Sequence, residues 1–203
     1  MFVTLEGIDR SGKTTQAALL AEALGPDTVR LREPGGTDAG ERIRRLLKDP
    51  ALELDPGAEL LLFCAARAEL AVRVIKPALK DGRDVVCDRF IDSTVAYQGV
   101  ARGLGVELVE QLNSFAVGAC MPDVTVLLRI DPDAAEHRGQ QRLAQGAKDG
   151  SDRFESEGIA LQRQVAAAYD ELAERHPERI TVVDGSGTPA DVHARVLEAV
   201  RSR

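Results

Sequence analysis

Two rhythms of apolar and polar positions alternate along this chain. Short runs in which most residues are apolar or β-branched fall at 2–6, 28–32, 84–87, 124–130 and 180–183. Between them lie longer stretches where apolar residues recur with helical spacing, at 14–24, 38–48, 57–80, 106–117, 133–145, 156–175 and 189–200. Strands this uniformly apolar are buried on both faces, as in a parallel sheet covered by helices. Strand–helix alternation then implies right-handed crossovers. The predicted fold is α/β, a doubly wound parallel five-stranded sheet with helices on both faces. No repeat or linker divides the chain, and its 203 residues suit one domain, 1–203.

One stretch breaks the rhythm. From His137 to Asp152 the residues are polar, glycine-containing and cationic. They read either as a solvated loop between helices or as a lid, about 137–152, that brings cations over a bound phosphate chain. The overall charge gives that choice its context. With 26 Lys+Arg against 33 Asp+Glu the net charge is −7, without the broad basic footprint of a nucleic-acid binder. An anionic ligand must be held by local arginines and lysines, which favours small phosphorylated molecules as partners and argues against nucleic acid. Cys64, Cys87 and Cys120 are odd in number and lack zinc spacing, so they read as reduced, mostly buried packing residues. The chain opens directly into a strand with no leader pattern, and charges break its apolar patches short of the roughly 20 residues of a membrane span. A soluble, cytoplasmic protein without a membrane partner is expected.

The strongest chemical signal is Gly7-Ile8-Asp9-Arg10-Ser11-Gly12-Lys13-Thr14, a complete G-x-x-x-x-G-K-[ST] run between a strand and a helix. Gly7 and Gly12 let the backbone turn tightly and aim successive N–H groups at phosphate oxygens. The helix adds its positive N-terminal end. In such a loop Lys13 reaches the β- and γ-phosphates and the Thr14 hydroxyl ligates Mg²⁺, so an ATP-binding set of Gly7, Ile8, Asp9, Arg10, Ser11, Gly12, Lys13, Thr14 and Thr15 is expected. The run 85–91 carries Asp88 at its strand end, suited to Mg²⁺ coordination through water; an N-cap or ion-pair role is the lesser alternative, and Arg89 beside it favours an anion site. The chain has no Asn-Lys-x-Asp base-reading motif, and no glycine follows Asp88 in the manner of a switch GTPase.

Together with the loop, the runs Arg32-Glu33-Pro34-Gly35-Gly36-Thr37, Asp88-Arg89-Phe90-Ile91-Asp92-Ser93-Thr94-Val95-Ala96-Tyr97-Gln98-Gly99 and Asp152-Arg153-Phe154-Glu155 resemble the bacterial thymidylate kinases, within the P-loop nucleoside monophosphate kinases, over essentially the whole length. The resemblance implies transfer of a phosphoryl group from ATP to dTMP with Mg²⁺, in dTTP synthesis, by a homodimer. It also implies site roles. Asp9 would accept the hydrogen bond of the acceptor's 3′-hydroxyl, where the residues alone allow an Asx-turn. Arg89 would hold the acceptor phosphate. Phe63 would stack on thymine and Arg67, one helical turn on, would donate to a base carbonyl; alone they read as a core residue and a surface charge.

Thr94 would read the base edge, Tyr97 would crowd a ribose 2′-hydroxyl, and Gln98 would support the same pocket. The 32–37 block would wrap the acceptor side, and is otherwise a turn after a strand. Arg44 reads as a helix-surface charge within possible reach of the acceptor phosphate. Arg138 and the turn at Asp184, Gly185 and Ser186 would flank adenine, and otherwise read as ordinary surface. The cations for catalysis would be Arg10, Lys13, Arg142 and Arg153, with Thr14 and Asp88 on the metal. His137, His176 and His193 sit in polar helical or lid surroundings and give no reason to invoke histidine catalysis. Competing readings are a kinase for another nucleoside monophosphate and, further off, a non-catalytic nucleotide switch, which would need no second nucleotide pocket.

Overall fold

The computed structural model describes residues 1–144 and 158–203, except for the side chains of Arg142 and Leu143. The apolar runs form one fully parallel five-stranded sheet in the order β2-β3-β1-β4-β5. Its strands are β1 Phe2–Glu6, β2 Val29–Arg32, β3 Val85–Asp88, β4 Val124–Arg129 and β5 Ile180–Asp184. The helices are α1 Lys13–Leu24, α2 Asp38–Lys48, α3 Pro56–Leu70, α4 Lys76–Lys80, α5 Ile91–Thr94, α6 Val106–Val117, α7 Pro132–Ala144, α8 Gly158–Arg175 and α9 Pro189–Arg201.

Side chains of β1 alternate between two cores, as the period of a strand requires. Val3 and Leu5 pack with Leu20 of α1 and Val196 of α9. Phe2 points the other way, toward Leu70 and Ile75. On that second face Leu127 of β4 meets Val165, Tyr169 and Leu172 of α8. Helices therefore cover both sides, as predicted. Register brings the carboxyl ends of three strands level, since Leu5 and Arg32 both pair with Asp88. Ligand clefts in open parallel sheets lie outside such ends.

Helix starts follow local chemistry. Thr37 Oγ1 accepts from Gly40 N at 2.9 Å, Asp55 caps α3 ahead of Pro56, and Thr188 forms a capping box with Asp191. The helix expected at 57–80 begins at Pro56 and is not uniform, because a π-helical turn at Ala71–Ile75 joins α3 to α4. A second difference is larger. Residues 91–101 are helical, α5 running into a π-helical segment Val95–Ala101, where the sequence predicts no helix. Almost every side chain from Ile91 to Gly99 is buried, packed among β-strands, α6 and α8, so no polar face marks a helical period. All three cysteines are unpaired and buried, as expected. Among the described residues no helix is long and apolar enough to cross a membrane.

Candidate active site

The phosphate-binding loop occupies the turn from β1 to α1. Gly7 has φ +138° and lies so close to β4 that a Cβ there would stand 2.6 Å from the Leu128 carbonyl oxygen; Gly12 has φ +103° and precedes Lys13 at the helix start. Both positions demand glycine, one for room and one for conformation. The Lys13 ammonium curls back into the loop, donating to Ile8 O at 2.6 Å and Ser11 Oγ at 3.3 Å. Burial and the neighbouring Arg89 push its pKa down to about 8, against the opposing pull of Asp9, Asp88 and Glu6. The Thr14 hydroxyl donates to Asp88 Oδ2 at 2.5 Å.

A cavity of about 390 Å³ opens beside this loop, outside the carboxyl ends of β1, β2 and β3. It brings Asp9, Arg10, Gly12, Lys13, Thr14 and Thr15 together with Phe63, Arg67, Asp88, Arg89, Thr94, Tyr97 and Gln98. Arg138 is elsewhere, its guanidinium donating to Gly185 O at 3.0 Å, so it does join α7 to the turn after β5. Arg153 and the Arg142 side chain lie outside the described residues, as does the whole of the expected lid beyond Ala144. Arg44, read from sequence as a helix-surface charge, faces the cavity with Lys48 and donates to Pro34 O at 2.8 Å.

Two arginines organise the walls, Arg67 fully buried and Arg89 partly so. Arg89 has φ +71°, a left-handed conformation that a non-glycine residue keeps only when its surroundings enforce it. Its guanidinium binds Asp9 at 2.5 Å, Ser93 Oγ at 3.0 Å and Gly7 O at 3.2 Å, and lies over the Tyr97 ring. Burial alone would raise the Asp9 carboxyl, but Arg89 and Lys13 outweigh it and hold the pKa below the ordinary value. Arg67 is only 1% exposed. It donates to Glu33 at 2.8 Å, Asn113 Oδ1 at 2.6 Å, Phe90 O at 3.0 Å and Thr94 Oγ1 at 2.7 Å. Burial raises Glu33 to about 7 even against that guanidinium, and its Oε1 has no hydrogen-bond partner.

Sequence reasoning missed residues that support this wall from behind. Glu6, fully buried at the end of β1, accepts from Phe90 N at 2.7 Å, Ser93 Oγ at 2.6 Å and the Tyr169 hydroxyl at 2.8 Å. Gln162 on α8 clasps Asp9 twice, accepting from its backbone N–H at 3.0 Å and donating to its carboxylate at 2.8 Å. The signal for Glu6 was in view, since a charge ending an otherwise buried strand demands a partner. Nothing local marks Gln162 or Asn113.

A model of the family described as thymidylate kinase matches residues 5–196. The chain belongs to the thymidylate kinase family. It is 47% identical to a thymidylate kinase of Desulfosudis oleivorans over 98% of this chain and 96% of that one, and 47% identical to one of Syntrophotalea carbinolica over 96% and 92%. A crystal structure of the thymidylate kinase from Ehrlichia chaffeensis superposes with a TM-score of 0.78 at 36% identity, covering 98% of each chain. The sheet and loop described above are thus those of a P-loop nucleoside monophosphate kinase fold, and within this thymidylate kinase family member the cavity adjoining the loop is the place to seek a second substrate.

Proposed function

We propose that the chain transfers the γ-phosphoryl group of ATP to the 5′-phosphate of dTMP, giving ADP and dTDP, in the supply of dTTP. The observation that carries this reading is the continuity of one cavity from the phosphate loop to a wall bearing Phe63, Arg67, Thr94 and Tyr97. A nucleotide switch has no use for that second wall.

The donor phosphates would lie on the loop, with Lys13 swinging from Ile8 O to the β- and γ-oxygens. Thr14 and Asp88 fit Mg²⁺. Their oxygens are hard donors already in contact, and no group of three or more His, Cys, Asp or Glu residues among the described residues forms an all-protein cage. That matches an ion coordinated largely by phosphates and water, which when bound supplies charge neutralisation at the phosphates. Arg89 holds the acceptor phosphate, and Asp9, kept ionised by Arg89 and Lys13, accepts from the 3′-hydroxyl. Phe63 stacks on the base, Arg67 and Thr94 address its edge, and Tyr97 with Gln98 closes the sugar side.

An acceptor phosphate oxygen is already deprotonated at neutral pH, so attack in line needs no general base. Catalysis rests on position and on cations around the equatorial oxygens, from Lys13, Arg10, Arg142 in the lid and Arg153 beside it. Arg138 flanks adenine. The lid, about 137–152 in a single domain 1–203, excludes water that would otherwise hydrolyse ATP. Phe115, 90% exposed, with Leu61 and Leu108 on α3 and α6, gives an apolar face that supports a homodimer, and the unpaired cysteines suit the cytoplasm.

The test is ADP formation in a coupled assay with each monophosphate in turn. Turnover should require added monophosphate, with dTMP ahead of dCMP, dGMP and UMP. Equal use of dCMP would leave a kinase of broader acceptor choice; ADP release independent of any acceptor would overturn the reading.

A further inference from the structure

Arg10 is the loop residue whose charge is assigned to the transferring group, and its side chain follows an unusual course. With φ +63° it leaves the loop in a left-handed conformation and runs onto α7. Its guanidinium meets Glu136 Oε2 at 2.6 Å. One turn further along the same face of α7 stands Gly139, buried in the helix interior. A Cβ on Gly139 would lie 2.5 Å from Arg10 Nε, 2.6 Å from Cδ and 2.7 Å from Cζ. All three are atoms of the one side chain.

Glycine is the poorest helix former after proline, and a mid-helix glycine needs a reason in packing or function. Here the reason is contact. The missing side chain leaves a bed for the flat end of Arg10, and Glu136 grips the tip. α7 has contacts of its own to its neighbours: Arg138 donates to Gly185 O at 3.0 Å, and Arg163 on α8 bonds Asp133 at 2.9 Å and 3.0 Å. Glu136 is nearly half exposed, with a side-chain accessibility of 43%, so the pair is well screened and a phosphate chain can outbid it for the same guanidinium.

We propose that Glu136 and Gly139 are positioning residues for Arg10, a cradle on α7 that sets where its guanidinium meets the transferring phosphoryl group. The proposal rests on Arg10 being catalytic. It predicts that a methyl group on Gly139 acts through Arg10, because the three atoms nearest to it all belong to that flexible side chain.

The experiment is steady-state kinetics and thermal unfolding of wild type, Arg10→Ala, Gly139→Ala and Arg10→Ala/Gly139→Ala, with Glu136→Ala in both backgrounds. Gly139→Ala should lower kcat by about ten- to a hundredfold, up to the cost of misplacing a catalytic group by about 1 Å, and move the KM for dTMP less than about twofold. In the Arg10→Ala background the same change should add nothing to the loss. There it should raise Tm by about 2–4 °C, since alanine replaces glycine in a helix with nothing left to collide with. Glu136→Ala should likewise lower kcat only when Arg10 is present. Wild-type kcat in Gly139→Ala, or an equal loss in both backgrounds, would overturn the cradle. Full activity of Arg10→Ala by itself would instead remove Arg10 from catalysis, and the cradle with it.

Discussion

Replacing Arg67 with methionine tests the energetics of the acceptor wall. The change keeps an apolar stem and deletes a guanidinium that is 1% exposed and bonded to Glu33, Asn113, Phe90 O and Thr94. Removing one partner of a buried ion pair costs about 3–5 kcal/mol when the other stays charged. Glu33 need not stay charged. Burial already raises its pKa from 4.5 to about 7 beside Arg67, and without that lowering influence it rises further. A carboxyl whose folded pKa is raised gives stability that is whole below its unfolded pKa and is lost as pH climbs to the folded value. In wild type that loss is complete just above pH 7, whereas in Arg67→Met it continues at up to about 1.4 kcal/mol per pH unit. The variant's deficit should therefore be about 2 kcal/mol larger at pH 8.5 than at pH 5.5, read by urea unfolding at both pH values. Adding Glu33→Gln should recover most of that extra deficit at pH 8.5. A deficit independent of pH, or a double variant weaker than Arg67→Met at pH 8.5, would refute the reasoning.

Lys13 titrates at about 8 in the free protein, so kcat/KM for ATP should fall as pH rises above 8, while kcat falls later because bound phosphates favour the ammonium. Lys13→Ala should lower kcat by about two orders of magnitude and erase that limb; a limb that survives the substitution belongs to another group. Tyr97, whose hydroxyl donates to Asp9 at 3.2 Å, should act on the sugar and not on the base. In Tyr97→Ala the ratio of specificity constants for UMP over dUMP should rise while the preference for dTMP over dCMP holds, and an unchanged sugar ratio would take Tyr97 out of that pocket.

What the sequence made legible is what repeats or what chemistry forces into a short span. The strands announce themselves by burial on both faces, and the loop from Gly7 to Thr14 by a spacing no other task requires. That Phe63, Arg67, Thr94 and Tyr97 share one cavity was to be expected only through resemblance to a family, because each residue is ordinary when taken singly. Residues 91–101 show why. That helix lies inside the protein, so its sequence loses the polar stripe that betrays a surface helix, and its π-helical turn suits no 3.6-residue period. Arg67 looked like a surface charge because its partners are 34 residues back at Glu33 and 46 ahead at Asn113. Gln162 reaches Asp9 across 153 residues, a contact no local pattern encodes.

The acidity of the chain also takes on a different meaning once the cleft is laid out. On the proposed function a protein with net charge −7 takes polyphosphates into this cleft, yet the cleft is not a bare cationic hole. Arg89 faces Asp9, Arg67 faces Glu33, Arg10 faces Glu136, and Lys13 is drawn by Asp9 and Asp88. Uncompensated buried cations would repel one another and, at Lys13, shed protons, as its depressed pKa already shows. The carboxylates hold each cation in place until a phosphate group competes for it. That competition is unequal. Glu33, deep and hydrogen-bonded, keeps Arg67 as part of the wall, whereas the half-exposed Glu136 yields Arg10 readily. Within the cleft the Arg67–Glu33 pair is therefore fixed architecture, and under the proposed reaction the half-exposed Arg10–Glu136 pair is the one a transferring phosphoryl group can open.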